Sequence, residues 1–283
     1  MIQSLRQIKT KIRNVENVKK VTRAMEMIAT AKFRSIENNV LITREYLAKV
    51  EMLLHNLLQH RGNVSLPLLK GRQNQKRVVL CVISSDTGLC STYNSDMIRR
   101  VEDFIHLEDQ KTIELVVVGK KGFNYFKKRG IVIRESFIDF HGRYSQEFAC
   151  KILNTLTEFF ILEDIGSIWL AYTHFETVSR HKVKIEKFFP FDVKKEVCGS
   201  MLFEPNAQKI CEDLIAVFVL QKIKSILLES FACEHAARMM AMGVATSNAK
   251  DLLENMILLR NKVRQANITK EILEISATAE VLR

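Results

Sequence analysis

Residues 25–58 read MEMIATAKFRSIENNVLITREYLAKVEMLLHNLL, and neither glycine nor proline occurs among them or anywhere before Gly62. Both residues punctuate helices, so their absence over so long a stretch is itself a signal. Apolar side chains recur at three and four: Met25 and Ile28, Ile36 and Val40, then Leu47, Val50, Leu54 and Leu57. That spacing predicts one helix with an apolar seam close to heptad period. A helix over residues 3–58 would extend on the order of 80 Å, more than a globular domain of this size can hide.

The other end of the chain carries a matching pattern. From Ala207 to Leu282 only Gly243 interrupts it, with Leu252, Met256, Leu259, Val263 and Ala266 followed by Ile268, Ile272, Ile275, Ala279 and Leu282. The step from 266 to 268 breaks the heptad phase and predicts a local change of supercoil. Each helix has an apolar stripe that needs a partner, and the other helix is the nearest of matching length, so an antiparallel coiled coil of the two chain ends is expected. Ala24, Ala29 and Ala31 on one side and Ala232, Ala236, Ala237 and Ala241 on the other fall where close approach is needed. Two helices of an ordinary bundle remain the alternative on length alone.

Between the helices the pattern changes to short β-branched runs separated by turns. Val78–Ile83, Leu115–Val118, Ile131–Ile133 and Ile168–Tyr172 read as strands, and Val183–Phe188 alternates as an edge strand would. Helices fit at Asp96–His106, Phe123–Lys128 and Gln146–Leu162. The alternation predicts an α/β fold: a small Rossmann-like parallel-sheet domain over residues 76–190, inserted between shaft helices at 1–60 and 205–283.

Composition sets the outer limits. The 283 residues are 47% hydrophobic and 27% charged, enough for a buried core and unlike a disordered chain. A net charge of +11 admits nucleic acid, an anionic membrane or an acidic protein partner. Nine basic and two acidic side chains, net +7, fall within residues 1–34. The six cysteines are scattered singly, without metal-ligand spacing, and fit a reducing compartment. The longest uninterrupted apolar run, Leu214–Leu220, is far below the ~18 residues of a membrane span.

Chemistry-bearing motifs are weak. Ser84–Asn94 has a single glycine where a dinucleotide fold needs GxGxxG, and Val116–Gly122 lacks the glycine spacing and the Ser or Thr of a phosphate loop. No GxSxG is present, and His174 and His235 read as structural or surface residues. Paired acids such as Glu108 and Asp109 sit in polar turn sequence. Neither an enzyme nor a cofactor is expected. A DNA-binding basic arm is charged all round, whereas Leu5, Ile8, Ile12, Val15 and Val18 interleave with the basic residues here. One face is thereby committed to packing, and the cationic outer face suits an acidic protein surface.

Three stretches carry a family resemblance. Residues 21–34, VTRAMEMIATAKFR, resemble the N-terminal signature of F-type ATP synthase gamma subunits, and 229–248, ESFACEHAARMMAMGVATSN, with 260–272, RNKVRQANITKEI, are similar to the C-terminal helix of that family. Weaker matches are SDTGLC at Ser85–Cys90 and FEP at Phe203–Pro205. The chain departs from the pattern at Thr87, where the family usually has a basic residue, and at Ser91, where it usually has glycine. The tip SATAEVLR is also less rich in Gly and Ala than is usual. Glu280 and Arg283 would be costly in a dry sleeve, which implies a higher tip or a wetter sleeve. The Arg-rich start also fits a transit peptide, but a family motif beginning so early is expected to leave no removable leader. The two-cysteine insert of chloroplast members has no counterpart, so thiol regulation is not expected.

The resemblance implies a central rotary shaft turning inside a ring of alpha and beta subunits, its α/β foot docked with epsilon onto the membrane c ring. It implies that Lys19, Lys20, Arg23 and Met25 face acidic beta-subunit loops, that Arg264, Gln265 and Thr269 bond a beta loop higher up, and that Met201 and Glu204 face the c ring. Arg238, within the 229–248 match, joins the partner-binding positions. It further implies peripheral attachment, without a membrane span, at the cytoplasmic face of a bacterial inner membrane, or at the matrix or stromal face in an organelle. Two rival classes remain, a coiled-coil nucleic-acid binder and a nucleotide-binding α/β enzyme with helical arms. Steep salt-dependent DNA binding would favour the first, and nucleotide bound by the isolated chain the second.

Overall fold

The computed structural model describes residues 5–59, 77–108, 111–162, 165–191 and 207–281. In chain order the elements are α1 (Leu5–Gln59), β1 (Arg77–Ile83), α2 (Tyr93–Leu107), β2 (Thr112–Val118), α3 (Lys120–Lys128), β3 (Ile133–Phe137), α4 (Gln146–Leu162), β4 (Ser167–Thr177), β5 (Arg180–Phe189) and α5 (Ala207–Val281). The fold is mixed α/β, with long N- and C-terminal helices around a mainly parallel sheet. Two compact units are distinguished, Thr30–Arg238 on one hand, and the segments up to Ala29 and from Met239 on the other.

The larger unit holds the sheet, in the order β3-β2-β1-β4-β5. β1 pairs in parallel with β2 and β4, β2 in parallel with β3, and β5 runs antiparallel along the edge of β4. Central parallel strands are covered on both faces, and Val78–Ile83 accordingly reads as one unbroken apolar run that is buried throughout. On one face Leu80, Val82, Leu115 and Val117 pack on Met97 and Val101 of α2 and Phe126 of α3. On the other, Val79, Cys81, Val116 and Leu170 meet α4 and the parts of α1 and α5 that belong to this unit. Each fully buried aliphatic side chain contributes about 1.5–3 kcal/mol relative to exposure, so these layers supply the main favourable term.

β3 begins at Ile133, not Ile131. The N–H groups of Gly130 and Ile131 donate to Lys127 and Phe126 carbonyls and close the C-terminus of α3, with Gly130 at φ 70°. Residues spent on that cap are unavailable to a ladder.

The seam of α1 follows a stricter heptad than apolar residues alone reveal. Within the larger unit Phe33, Ile36, Val40, Thr43, Leu47, Val50, Leu54 and Leu57 are all buried, alternating three and four. In the smaller unit Ile8, Ile12 and Ala29 are buried and Thr22 lies partly buried between them. Ile28, expected on the seam, is 58% exposed, and Val18, Ala24 and Ala31 also face outward. The matching stripe on α5 is Met242, Thr246 and Ala249, continued by the partly buried Leu253, Met256 and Val263. Leu252 and Leu259 stand beside it and are largely exposed. Threonine occupies seam positions on both helices, and Thr246 Oγ1 lies 3.0 Å from Thr22 Oγ1. Glu26 approaches Gly243 one turn away, which makes the pair antiparallel. Arg44 Nη2, 2.9 Å from Glu229 Oε1, ties the same two helices within the larger unit. Ala232, Ala236 and Ala237 are buried as expected, and α5 is enclosed on all sides there.

Candidate functional site: outward helix faces and a buried Arg238 cluster

In an open α/β sheet the usual ligand crevice lies beyond the carboxyl ends of the strands. Here the groups at that edge tie the protein's own loops together. Asp86 Oδ1 accepts N–H bonds from Lys120 at 3.0 Å and Asp139 at 3.2 Å, and Oδ2 accepts one from His141 at 2.7 Å. Ser84 Oγ donates to the Val118 carbonyl at 2.9 Å and accepts from Gly122 N at 3.0 Å. Gly119 sits at φ 103°, and a Cβ there would lie 2.3 Å from the Ser84 carbonyl oxygen, so only glycine fits this turn. Ser91 adopts φ 51° and Leu89 φ 63°, so the loop holds two left-handed non-glycine residues, at a cost of roughly 1–2 kcal/mol each.

Arg238 reaches this loop from α5. Nη2 donates to Thr87 Oγ1 at 2.7 Å, the Thr87 carbonyl at 3.1 Å and Glu234 Oε1 at 2.9 Å, while Nε donates to the Gly88 carbonyl at 3.2 Å. Nη1 donates to His235 Nδ1 at 3.3 Å. His235 Nε2 therefore carries the ring proton and donates it to the Gly142 carbonyl at 3.0 Å. Burial pushes the His235 pKa down to about 4, which keeps the ring neutral. Burial, only partly offset by Arg238, pushes Glu234 up to about 6. Among the described residues, Glu234 Oε2 makes no hydrogen bond. Arg238 is 7% exposed, and its donors hold the 85–90 loop against α5.

The other expected partner positions lie on the smaller unit. Lys19 and Met25 are half-buried, Lys20 and Arg23 exposed, and Arg23 pairs with Glu26 at 3.1 Å. The outer face of this helix is not purely cationic, because Val18, Val21, Met27 and Ile28 share it. Arg264, Gln265 and Thr269 are exposed on α5, and about 27 Å of helix separates Arg264 from the level of Thr246. The two groups of residues are thus separate patches. Met201 and Glu204 lie outside the described residues, as does the FEP stretch. Among the described residues no helix is long and apolar enough to cross a membrane.

Sequence reasoning missed the ties of Asp86 and the pairing of Arg238, Glu234 and His235. The Glu234–Arg238 spacing of one helical turn was visible, but only the fold shows that it faces inward, toward Thr87.

Comparison with known proteins adds a consistent picture. The sequence profile of the family described as ATP synthase matches residues 4–282. The ATP synthase gamma chain of Protochlamydia amoebophila is 37% identical over 286 residues, covering 99% of each chain, and that of Chlorobium luteolum is 31% identical over 287 residues with the same coverage. Among solved structures, a chain of the Euglena gracilis mitochondrial ATP synthase OSCP/F1/c-ring assembly shares the fold with a TM-score of 0.66 at 16% identity, covering 98% of this chain and 94% of its own. A chain of the Tetrahymena thermophila mitochondrial ATP synthase central stalk/c-ring gives 0.61 at 22% identity, covering 80% and 99%. With a full-length profile match and relatives above 30% identity along their whole length, the chain belongs to the ATP synthase gamma-chain family.

Proposed function

We propose that this chain is the central rotary shaft of an F-type ATP synthase, turning within a ring of alpha and beta subunits and coupling ion flow through a c ring to ATP synthesis or hydrolysis at the beta subunits. It performs no chemistry itself. The observation that carries this reading is the bare end of α5, where Ile268, Ile272, Leu273 and Ile275 are 48%, 58%, 63% and 69% exposed. A run of exposed isoleucine and leucine marks a surface that another protein covers. In the shaft reading a sleeve of partner subunits covers it on all sides.

A shaft can bias a partner only where its faces interact unequally with the partner's conformations. The unequal features are the collar of Lys19, Lys20, Arg23 and Met25, set toward acidic beta loops, and the patch of Arg264, Gln265 and Thr269, in which Gln265 and Thr269 share a face one turn apart. Met201 and Glu204 are proposed to face the c ring. Epsilon joins the foot, and the assembly is peripheral at the cytoplasmic face of a bacterial inner membrane, or at the matrix or stromal face in an organelle.

Isolation of the tagged chain from its native membranes should bring down alpha, beta, epsilon and c subunits, and their absence defeats the proposal. In the assembled complex, reversing Lys19, Lys20 and Arg23 to Glu should lower ATP-driven ion pumping severalfold. The chain itself should melt within a few degrees of the parent, because charges on a solvated helix face contribute only about 0–1 kcal/mol each. Pumping equal to the parent would leave the collar without a role.

A further inference from the structure

Within the larger unit a cavity of about 590 Å³ opens between residues 31–39 of α1, residues 142–144, and Lys224 and Leu228 of α5. Lys32, Arg143 and Lys224 line it, with no acidic residue among the lining side chains. None of the three cations makes an ion pair among the described residues. Lys32 is half-buried, and its pKa is lowered by desolvation and by the Arg143 and Arg238 charges. Glu234, whose charge acts on Lys32 in the opposite sense, is already engaged by Arg238. Three like charges gathered on one concave surface repel each other and focus a positive potential into it.

The wall is also built, not incidental. Asp139, His141 and Gly142 stand at φ 67°, 50° and 64°, left-handed values that two of these residues hold under strain. Asp86 fixes the Asp139 and His141 amides, Lys32 Nζ donates to the His141 carbonyl at 3.1 Å, and His235 donates to the Gly142 carbonyl at 3.0 Å. These ties aim Arg143 and Tyr144 into the cavity mouth. Lys224 Nζ stands 5.8 Å from the centre of the Tyr144 ring. Ser35 and Tyr144 add hydroxyl donors, while Ile36 and Leu228 supply an apolar floor. The volume falls in the range of small-ligand sites and exceeds what a lone phosphate fills.

We infer that this cavity is an anion site for a small phosphate-bearing molecule, with Lys32, Arg143 and Lys224 binding the phosphate oxygens and the apolar floor taking the remainder. The site is independent of the shaft surfaces described above and of the shaft reading itself.

Titration calorimetry of the full-length chain with pyrophosphate and with ADP, both free of magnesium, tests it. Both should bind, and binding should weaken as ionic strength rises. The R143Q/K224Q double variant should weaken each at least tenfold while melting like the parent, because it spares Lys32 and the ties that hold the loop. The single K224E variant should weaken both ligands as well. No detectable binding of either ligand, affinity unchanged in the double variant, or equal competition by sulfate at matched ionic strength would overturn the assignment.

Discussion

Replacing Arg238 with Met is expected to destabilise the larger unit by roughly 3–5 kcal/mol at pH 8, the range for removing one partner of a buried ion pair. The side chains of Arg238 and Glu234 are 8% and 1% exposed, so water cannot replace what is lost. The Thr87 and Gly88 carbonyls lose their donors at the same time. Glu234 has one escape, which is to take up a proton. Its pKa already stands at about 6 with Arg238 opposing the rise, and without the cation it climbs further. The penalty should therefore be smaller at pH 5 than at pH 8, and E234Q/R238M should recover part of the loss at pH 8 while changing little at pH 5. Urea unfolding followed by circular dichroism at both pH values reads this out. A penalty independent of pH would show that the carboxylate is not the group left stranded.

What the sequence discloses and what it hides divide along physical lines. The helices and strands were legible because their signals are local: the Gly- and Pro-free run before Gly62, and the buried run Val78–Ile83. The strand expected over Ile131–Ile133 is shifted to Ile133–Phe137, because the Ile131 amide closes α3, a bond that periodicity does not encode. The seam was half legible. Counting apolar residues promoted Ile28, Leu252 and Leu259 and passed over Thr22, Thr43 and Thr246, whose methyl and hydroxyl let them sit on a helix–helix seam. Orientation of Arg238 was beyond reach, since a cation in a helix next to a family motif reads as surface until the loop bearing Thr87 is folded against it. The anion cavity is the extreme case, because Lys32, Arg143 and Lys224 come from three distant parts of the chain.

His235 should give the chain an identifiable acid response. Its ring is buried against the Gly142 carbonyl and Arg238, with Lys32 adding repulsion, and its pKa falls from the ordinary 6.5 to about 4. The unfolded chain therefore binds a proton there before the folded chain does. Stability from this group is fully present above pH 6.5 and is lost as pH falls toward 4, a loss on the order of 3 kcal/mol. Glu234, facing Arg238, Asp86 and Lys32, acts in the opposite sense. Its folded pKa of about 6 exceeds the ordinary 4.5, so the folded chain binds the proton first and gains about 2 kcal/mol as pH falls through that window. The two effects nearly cancel in the parent, which should lose little stability from this cluster between pH 7 and pH 4. In His235→Gln the amide can still donate to Gly142 and accept from Arg238, but the titrating ring is gone. The gap in stability between parent and variant should then shift by about 3 kcal/mol in the variant's favour across that range, contributions from distant groups cancelling in the difference. Urea midpoints of both proteins from pH 7 to pH 4 measure the gap. If it stays constant with pH, the ring is not held neutral in the folded state, and Nδ1 cannot be the acceptor of the Arg238 Nη1 bond.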